Sequence, residues 1–261
     1  MRVPLILFVS SLFCVLCCSG CGFLPAGGAD PEVADQVLVI VDLSTSLTDD
    51  QRRSIPGLVA GFVAGAAQNA DVTVYPLVSD IGHSKTLASQ IHPPKTGRIV
   101  DVADWKKNVG DTWAHELKES VDVVLKLPKK TQEQIYTSCY ISSAVFASRY
   151  FSGISNAGKL RLLWVGDLIE DCPLPEFRRY RLPNEGAVDR IGGLNLVLKS
   201  LSTVEVIGAI IPRDPVIGPS DASYDKTIEY WDALEPHLGM TPSLVKVRPS
   251  GAVLPHPLPI Q

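Results

Sequence analysis

Residues 37–46 read Val37-Leu38-Val39-Ile40-Val41-Asp42-Leu43-Ser44-Thr45-Ser46. The first half is unbroken Val, Leu and Ile. Such a run suits a strand covered on both faces, as in a parallel sheet flanked by helices. Three more runs share this character: Val72–Val78 (VTVYPLV), Leu160–Val165 (LRLLWV) and Val204–Ile211 (VEVIGAII). Leu244–Val247 (LVKV) is a weaker candidate for an edge strand. Pro76 inside the second run predicts a bulge or a position near an edge, because proline cannot donate to a sheet ladder.

Helical patterns lie between the runs. Thr48-x-x-Gln51 has the spacing of a capping box. Gly57, Gly61 and Gly65 follow at intervals of four, so they share one helix face, and their missing side chains predict close approach to a neighbour. Pro56 predicts a kink or a restarted first turn. Val109, Trp113, Leu117, Val121 and Val124 predict a long amphipathic helix within Val102–Leu127. Shorter helices are expected at Ser142–Phe151 and Leu194–Leu201, and another at Tyr224–Leu238, stopped by Gly239. Strands alternating with helices imply βαβ units and a mainly parallel central sheet with helices on both faces.

The first 21 residues, MRVPLILFVSSLFCVLCCSGC, differ from the rest. One cation, Arg2, precedes an apolar run to Cys18, which is short for a membrane span and suited to a signal core. Ser19 and Gly20 before Cys21 resemble the lipobox of bacterial lipoproteins, with Cys18 where Leu is usual. That similarity implies a signal peptide over 1–21, Cys21 as lipid anchor, and attachment to a bacterial cell membrane or outer membrane. Gly22 resembles the residue of lipoproteins sorted to an outer membrane. Plain secretion, or an uncut short anchor, is the alternative. Residues 22–35 then form a tether, 36–248 one folded domain, and 249–261 an extended tail. Of the 261 residues 20% are charged and the formal net charge is −4, with no Lys/Arg cluster beyond pairs such as Arg178-Arg179. No basic face is expected, so nucleic acid is not a predicted partner.

In open α/β sheets ligands bind beyond the carboxyl ends of the strands. Each main run ends near an acid: Asp42, Asp80, Asp167 and Asp214. After the first strand, Asp42, Ser44 and Ser46 recur at alternate positions, offering one carboxylate and two hydroxyls on one side. These are hard oxygen donors of the kind Mg²⁺ takes. Asp167 is the candidate second carboxylate. The hydroxyls could instead satisfy backbone groups at a turn.

VLVIVDLSTS resembles the first strand and DxSxS motif of von Willebrand factor A (VWA) domains, and LRLLWVGDLIED resembles their fourth-strand ending. The similarity implies a Rossmann-type three-layer sandwich with a metal-ion-dependent adhesion site (MIDAS). It implies Asp42, Ser44, Ser46 and Asp167 as residues holding Mg²⁺ or Mn²⁺, with a partner carboxylate at the open position. Family members supply a threonine from a distant segment. The comparable stretch here is Thr137-Ser138-Cys139-Tyr140-Ile141-Ser142-Ser143-Ala144. Aligning Ile141 and Ala144 places Cys139 at the threonine position; a shift would use Thr137 or Ser138. A thiol is a poor ligand for a hard cation.

Cys139 and Cys172 are the two cysteines outside the N-terminal segment. They form either one disulfide or two buried thiols. The enzyme motifs are missing: Ser44 stands where a haloacid-dehalogenase-type phosphatase needs a second Asp, and there is no Gly-x-Gly-x-x-Gly, Walker loop or Gly-x-Ser-x-Gly. The acids Asp167, Glu170 and Asp171 read as a solvated loop before they read as a hydrolytic cluster. The expectation is a non-enzymatic envelope lipoprotein that binds a protein or peptide partner. The alternatives are a metal-free structural component of an envelope or secretion assembly and, third, a metal-dependent hydrolase.

Overall fold

Among the described residues six strands form one sheet: β1 (Asp35–Val41), β2 (Ala70–Pro76), β3 (Ala88–Ile91), β4 (Leu160–Gly166), β5 (Glu205–Ile210) and β6 (Pro242–Lys246). Their spatial order is β3-β2-β1-β4-β5-β6. All neighbours pair in parallel except β3, which runs antiparallel to β2 at one edge. The computed structural model describes residues 34–66, 70–91, 103, 104, 107, 113–155, 157–172, 185–192, 199–212 and 220–247, all within one compact unit, Val33–Gln261. The expected signal segment with Cys21, most of the tether, the tail, Asp214, Trp105, Val109 and residues 194–198 lie outside them.

Six helices accompany the sheet among these residues: α1 (Asp49–Ala66), α2 (Ala114–Leu125), α3 (Lys129–Ile135), α4 (Tyr140–Ser152), α5 (Glu185–Gly192) and α6 (Ser220–Leu238). The strands sort their side chains between two cores by simple alternation. Leu38 and Ile40 of β1 and Leu162 and Trp164 of β4 join Tyr140, Ala144 and Phe151 of α4 and Trp231 and Leu234 of α6. Val37, Val39 and Val41 join Ile55, Val59 and Val63 of α1 and Leu117, Val121 and Val124 of α2 on the other face. Both faces of β1 and β4 are buried, which is why these strands carry hardly a polar residue. The result is the expected three-layer α/β sandwich.

Several local expectations hold. Thr48 N–H donates to Gln51 Oε1 (2.9 Å) and Gln51 N–H to Thr48 Oγ1 (3.2 Å), so the capping box closes in both directions. Gly239 ends α6 with φ 67°, a conformation that glycine adopts without strain. Pro76 is the last residue of β2, one strand in from the edge.

Others need correction. Helix α1 does not restart at Pro56 but continues through it from Asp49 to Ala66. Nothing lies within 4 Å of where a Cβ would stand at Gly57 or Gly61, so these glycines do not mark a close helix contact. Their absent side chains only cost backbone entropy. Gly57→Ala and Gly61→Ala are each expected to stabilise the fold by roughly 0.5–1 kcal/mol in chemical denaturation; an unchanged midpoint in both would contradict the open space around them. Strand β3 and helix α3 were not expected. The sequence of β3, Ala88-Ser89-Gln90-Ile91, has no apolar alternation to announce it. The Leu194–Leu201 helix is, where described, a 3₁₀ turn over Lys199–Thr203.

Candidate metal centre

β1 and β4 are parallel neighbours in register, with Val41 opposite Val165. The ladder continues one residue further, because Asp42 N–H donates to Val165 O at 2.8 Å. Asp42 and Asp167 therefore leave the sheet at the same carboxyl-terminal edge, on adjacent strands. Both are buried, at 0% and 2% exposure.

The DxSxS turn folds back on its own acid. Ser44 N–H donates to Asp42 Oδ1 (2.8 Å), and the Ser44 and Ser46 hydroxyls lie 2.7 Å apart. Ser138, from the irregular stretch before α4, completes the group. Its hydroxyl lies 3.0 Å from Asp42 Oδ2 and 3.1 Å from Ser44 Oγ. Asp42 and three hydroxyls thus meet, while the Asp167 carboxyl accepts from Ile169 N–H (3.0 Å) in its own turn and acts on Asp42 through its charge. Of the predicted residues, Asp42, Ser44 and Ser46 are joined by hydrogen bonds, and Asp167 lies at the same edge on the neighbouring strand.

The position expected for Cys139 needs correcting. Its sulfur is bonded to that of Cys172, and Ser138 is the residue joined to Asp42 and Ser44. The physical reason is local: Cys139 is the N-cap of α4 and faces the loop after β4, whereas the preceding residue faces β1. Thr137 is half-buried, and its Oγ1 is a buried polar atom without a hydrogen-bond partner. Asp80 does not join the group. It is exposed and pairs with His83 at 2.8 Å.

Three residues that the sequence did not single out build the support. The Tyr140 hydroxyl donates to Asp42 Oδ2 (3.1 Å) and accepts from Leu168 N–H (3.3 Å), so one phenol bridges both acid-bearing turns. Its ring stands edge-on to Trp164 and Trp231. Trp231 Nε1 in turn donates to Leu168 O (2.9 Å), fixing a turn in which Leu168 has φ 54°. Arg52 is fully buried in α1 and donates to Leu43 O (3.1 Å), Gln132 Oε1 (2.6 Å) and Asp49 Oδ1 (2.6 Å), which pins the DxSxS turn from behind. Glu170, expected on a solvated loop, is fully buried. It accepts from Ile141 N–H (2.8 Å) and Cys172 N–H (2.7 Å), capping α4 from another segment.

The electrostatics of the cluster are unbalanced. Burial first, and then the charge of Asp167, raise the Asp42 carboxyl to about 6, against the hydrogen bonds from Ser44 and Ser138. Burial, with the charges of Asp42 and Asp167, holds the Tyr140 phenol well above its usual range, so it stays a proton donor. A buried pair of like charges is a costly arrangement that a cation would relieve. The donor set is all oxygen, and the unpartnered Thr137 Oγ1 adds one unsatisfied oxygen next to Ser138 in sequence. The residues therefore fit a hard divalent cation.

The strand order, the single antiparallel edge and the helices on both faces make this chain a three-layer α/β sandwich of the architecture expected from the VWA resemblance. No family model and no curated protein matches the sequence. Among solved structures, it is similar to a von Willebrand factor type A protein from Catenulispora acidiphila, with 10% identity and a TM-score of 0.46 over 84% of this chain and 40% of that one. It is also similar to the manganese-loaded TRAP protein of Plasmodium vivax, with 11% identity and a TM-score of 0.38 over 82% of this chain and 68% of that one. A third likeness is to the human COPII-coat protein Sec24c, with 10% identity and a TM-score of 0.34 over 84% of this chain and 30% of that one. The chain spans 40% of the length of the first of these proteins. These likenesses concern the fold alone. The Cys139–Cys172 disulfide is of a kind that persists in oxidising compartments, and among the described residues no helix is long and apolar enough to cross a membrane.

Proposed function

We propose that this chain is an exported, non-enzymatic binding module, tethered to a bacterial envelope membrane through Cys21, that holds a protein or peptide partner at the carboxyl edge of its sheet. Asp42, Ser44, Ser46, Ser138 and Asp167 would hold Mg²⁺ or Mn²⁺ there. Bound at that edge, the cation would supply a positive centre for a carboxylate of the partner. The observation that carries this reading is the meeting of two buried acids from neighbouring strands with three hydroxyls, in a cluster whose own charges repel. The chain's part is to fix the oxygens: Arg52 holds the DxSxS turn, Tyr140 holds Asp42 against the Asp167 turn, and burial keeps bulk water away. Titration calorimetry of wild type with MnCl₂ or MgCl₂ is expected to give a saturable signal that Asp42→Ala abolishes. No heat with either cation in the wild type removes the ion-bridged mechanism.

A second reading also has an observation in its favour. The hydroxyls of Ser46, Ser44 and Ser138 and the Asp42 carboxyl satisfy one another, and the disulfide fixes the adjoining segments. That self-contained network suits a metal-free structural component of an envelope or secretion assembly. Partner binding unaffected by EDTA would favour it.

A further inference from the structure

The Cys139–Cys172 disulfide stands outside the oxygen cluster, yet it joins the two segments that carry Ser138 and Asp167. Cys139 directly follows Ser138 and caps α4, while Cys172 closes the turn that begins at Asp167. Their Cα atoms are 4.9 Å apart. Ser138 itself belongs to no helix or strand, since residues 136–139 are irregular between α3 and α4. Its position relative to Asp167 therefore rests on ties to the turn after β4. Those ties are the disulfide, the Asp171 N–H donated to Ser138 O (2.8 Å), and the Glu170 carboxyl spanning Ile141 N–H and Cys172 N–H.

Building on the cation-binding reading above, we infer that the Cys139–Cys172 bond positions Ser138 for the metal centre, so that a dithiol reductant weakens hard-cation binding there without unfolding the sheet. The sulfur chemistry is asymmetric. Cys172 is half-buried and Cys139 fully buried, so an attacking thiolate reaches the Cys172 sulfur first. The S–S bond breaks, the electron pair passes to Cys139 Sγ, and a mixed disulfide forms on Cys172. The departing thiolate is left at the N-terminus of the 13-residue α4, where the helix stabilises negative charge, and it then takes a proton from water. The second thiol of the reductant displaces the Cys172 sulfur, which also ends as a thiol. The disulfide has gained two electrons and two protons, and the reductant has become a disulfide. The Glu170 and Asp171 hydrogen bonds survive this step, so the turn stays docked while Ser138 loses its covalent tie.

The test is Mn²⁺ binding to the full chain, read by electron paramagnetic resonance of the free ion, before reduction, after reduction with dithiothreitol and its anaerobic removal, and after reoxidation. Manganese is used in place of zinc because the freed sulfurs and Glu170, whose ligand atoms lie within 4.8 Å of one another, would take up a thiophilic cation of their own. Reduction is expected to weaken Mn²⁺ binding by about tenfold, with unchanged far-UV circular dichroism and recovery on reoxidation. Cys139→Ala with Cys172→Ala is expected to match the reduced chain and to ignore the reductant. Alanine is chosen because serine would add an oxygen ligand. Equal Mn²⁺ affinity of the oxidised and reduced chains overturns the inference and leaves the cation reading standing, as does loss of the circular dichroism signal on reduction. An oxidised wild type that takes up no Mn²⁺ overturns both. If the double variant does not fold, the reversible cycle on wild type decides alone.

Discussion

Replacing Gly166 with alanine is expected to lower stability by about 3 kcal/mol and to disable the cluster at the sheet edge. A Cβ at this position would stand 2.5 Å from Asp42 Cβ and inside van der Waals contact with the Tyr140 hydroxyl. Neither neighbour can yield cheaply. Asp42 is held by its backbone bond to Val165, and the Tyr140 ring is wedged against Trp164 and Trp231. Overpacking of a filled core costs about 1–3 kcal/mol, and losing the Tyr140–Asp42 hydrogen bond at a buried acid adds about 1–3 kcal/mol. Urea unfolding measures the first effect through a shift in midpoint at constant slope; Mn²⁺ titration of the variant measures the second. A variant as stable as wild type would mean that Tyr140 does not lie between the two acid-bearing turns.

The second large effect is on pH dependence. Asp42 titrates near 6 in the folded chain because burial and then Asp167 disfavour its charge, whereas an unfolded aspartate titrates near 3.9. Below about pH 4 both states hold the proton and the difference contributes nothing. Between about pH 4 and 6 the folded chain keeps a proton that the unfolded chain has lost, so stability falls as pH rises, by up to about 3 kcal/mol in total. Glu170, raised well above its usual range mainly by burial, acts with the same sign. Cation uptake has the mirror-image dependence. Below about pH 6 the proton competes for Asp42, and affinity for Mn²⁺ is expected to fall by up to about tenfold per pH unit. Melting temperatures in metal-free buffer from pH 4 to 8, repeated with Mn²⁺, test both halves. A metal-free melting temperature that does not fall between pH 4 and 6 would place Asp42 in water, contrary to its burial.

The fold was largely legible because burial on both faces leaves a plain imprint. VLVIV holds no polar residue and LRLLWV only Arg161 near its start, and the acids that follow them mark where the strands leave the sheet. The same logic places Asp42 and Asp167 at one edge, since both follow neighbouring runs of this kind. The rest depended on contacts far apart in sequence. An alignment anchored on Ile141 and Ala144 put Cys139 one place out, because residues 136–139 follow no repeat that fixes which way each side chain points. The preference of a hard cation for oxygen spoke against Cys139 but did not choose between Thr137 and Ser138. Glu170 looked like a loop acid because the partner that buries it across the fold is the Ile141 amide at the start of α4, nearly thirty residues earlier. Arg52 drew no reading from the sequence, since nothing local shows that Leu43 O and Gln132 converge on it. Gly57 and Gly61 of α1 show the opposite failure: a regular spacing with nothing close enough to exploit it.

The aromatic group beneath the acids has a practical consequence. Trp164 and Trp231 lie with ring centroids 5.5 Å apart, and a single tyrosine ring separates them from the carboxyl of Asp42. Indole emission responds to nearby charge and to rigidity, so discharge or filling of the sheet edge is expected to shift the emission of Trp164 and Trp231, read against that of Trp105 and Trp113. The molecule carries an optical gauge for its candidate site, and no dye or tag is needed to read it.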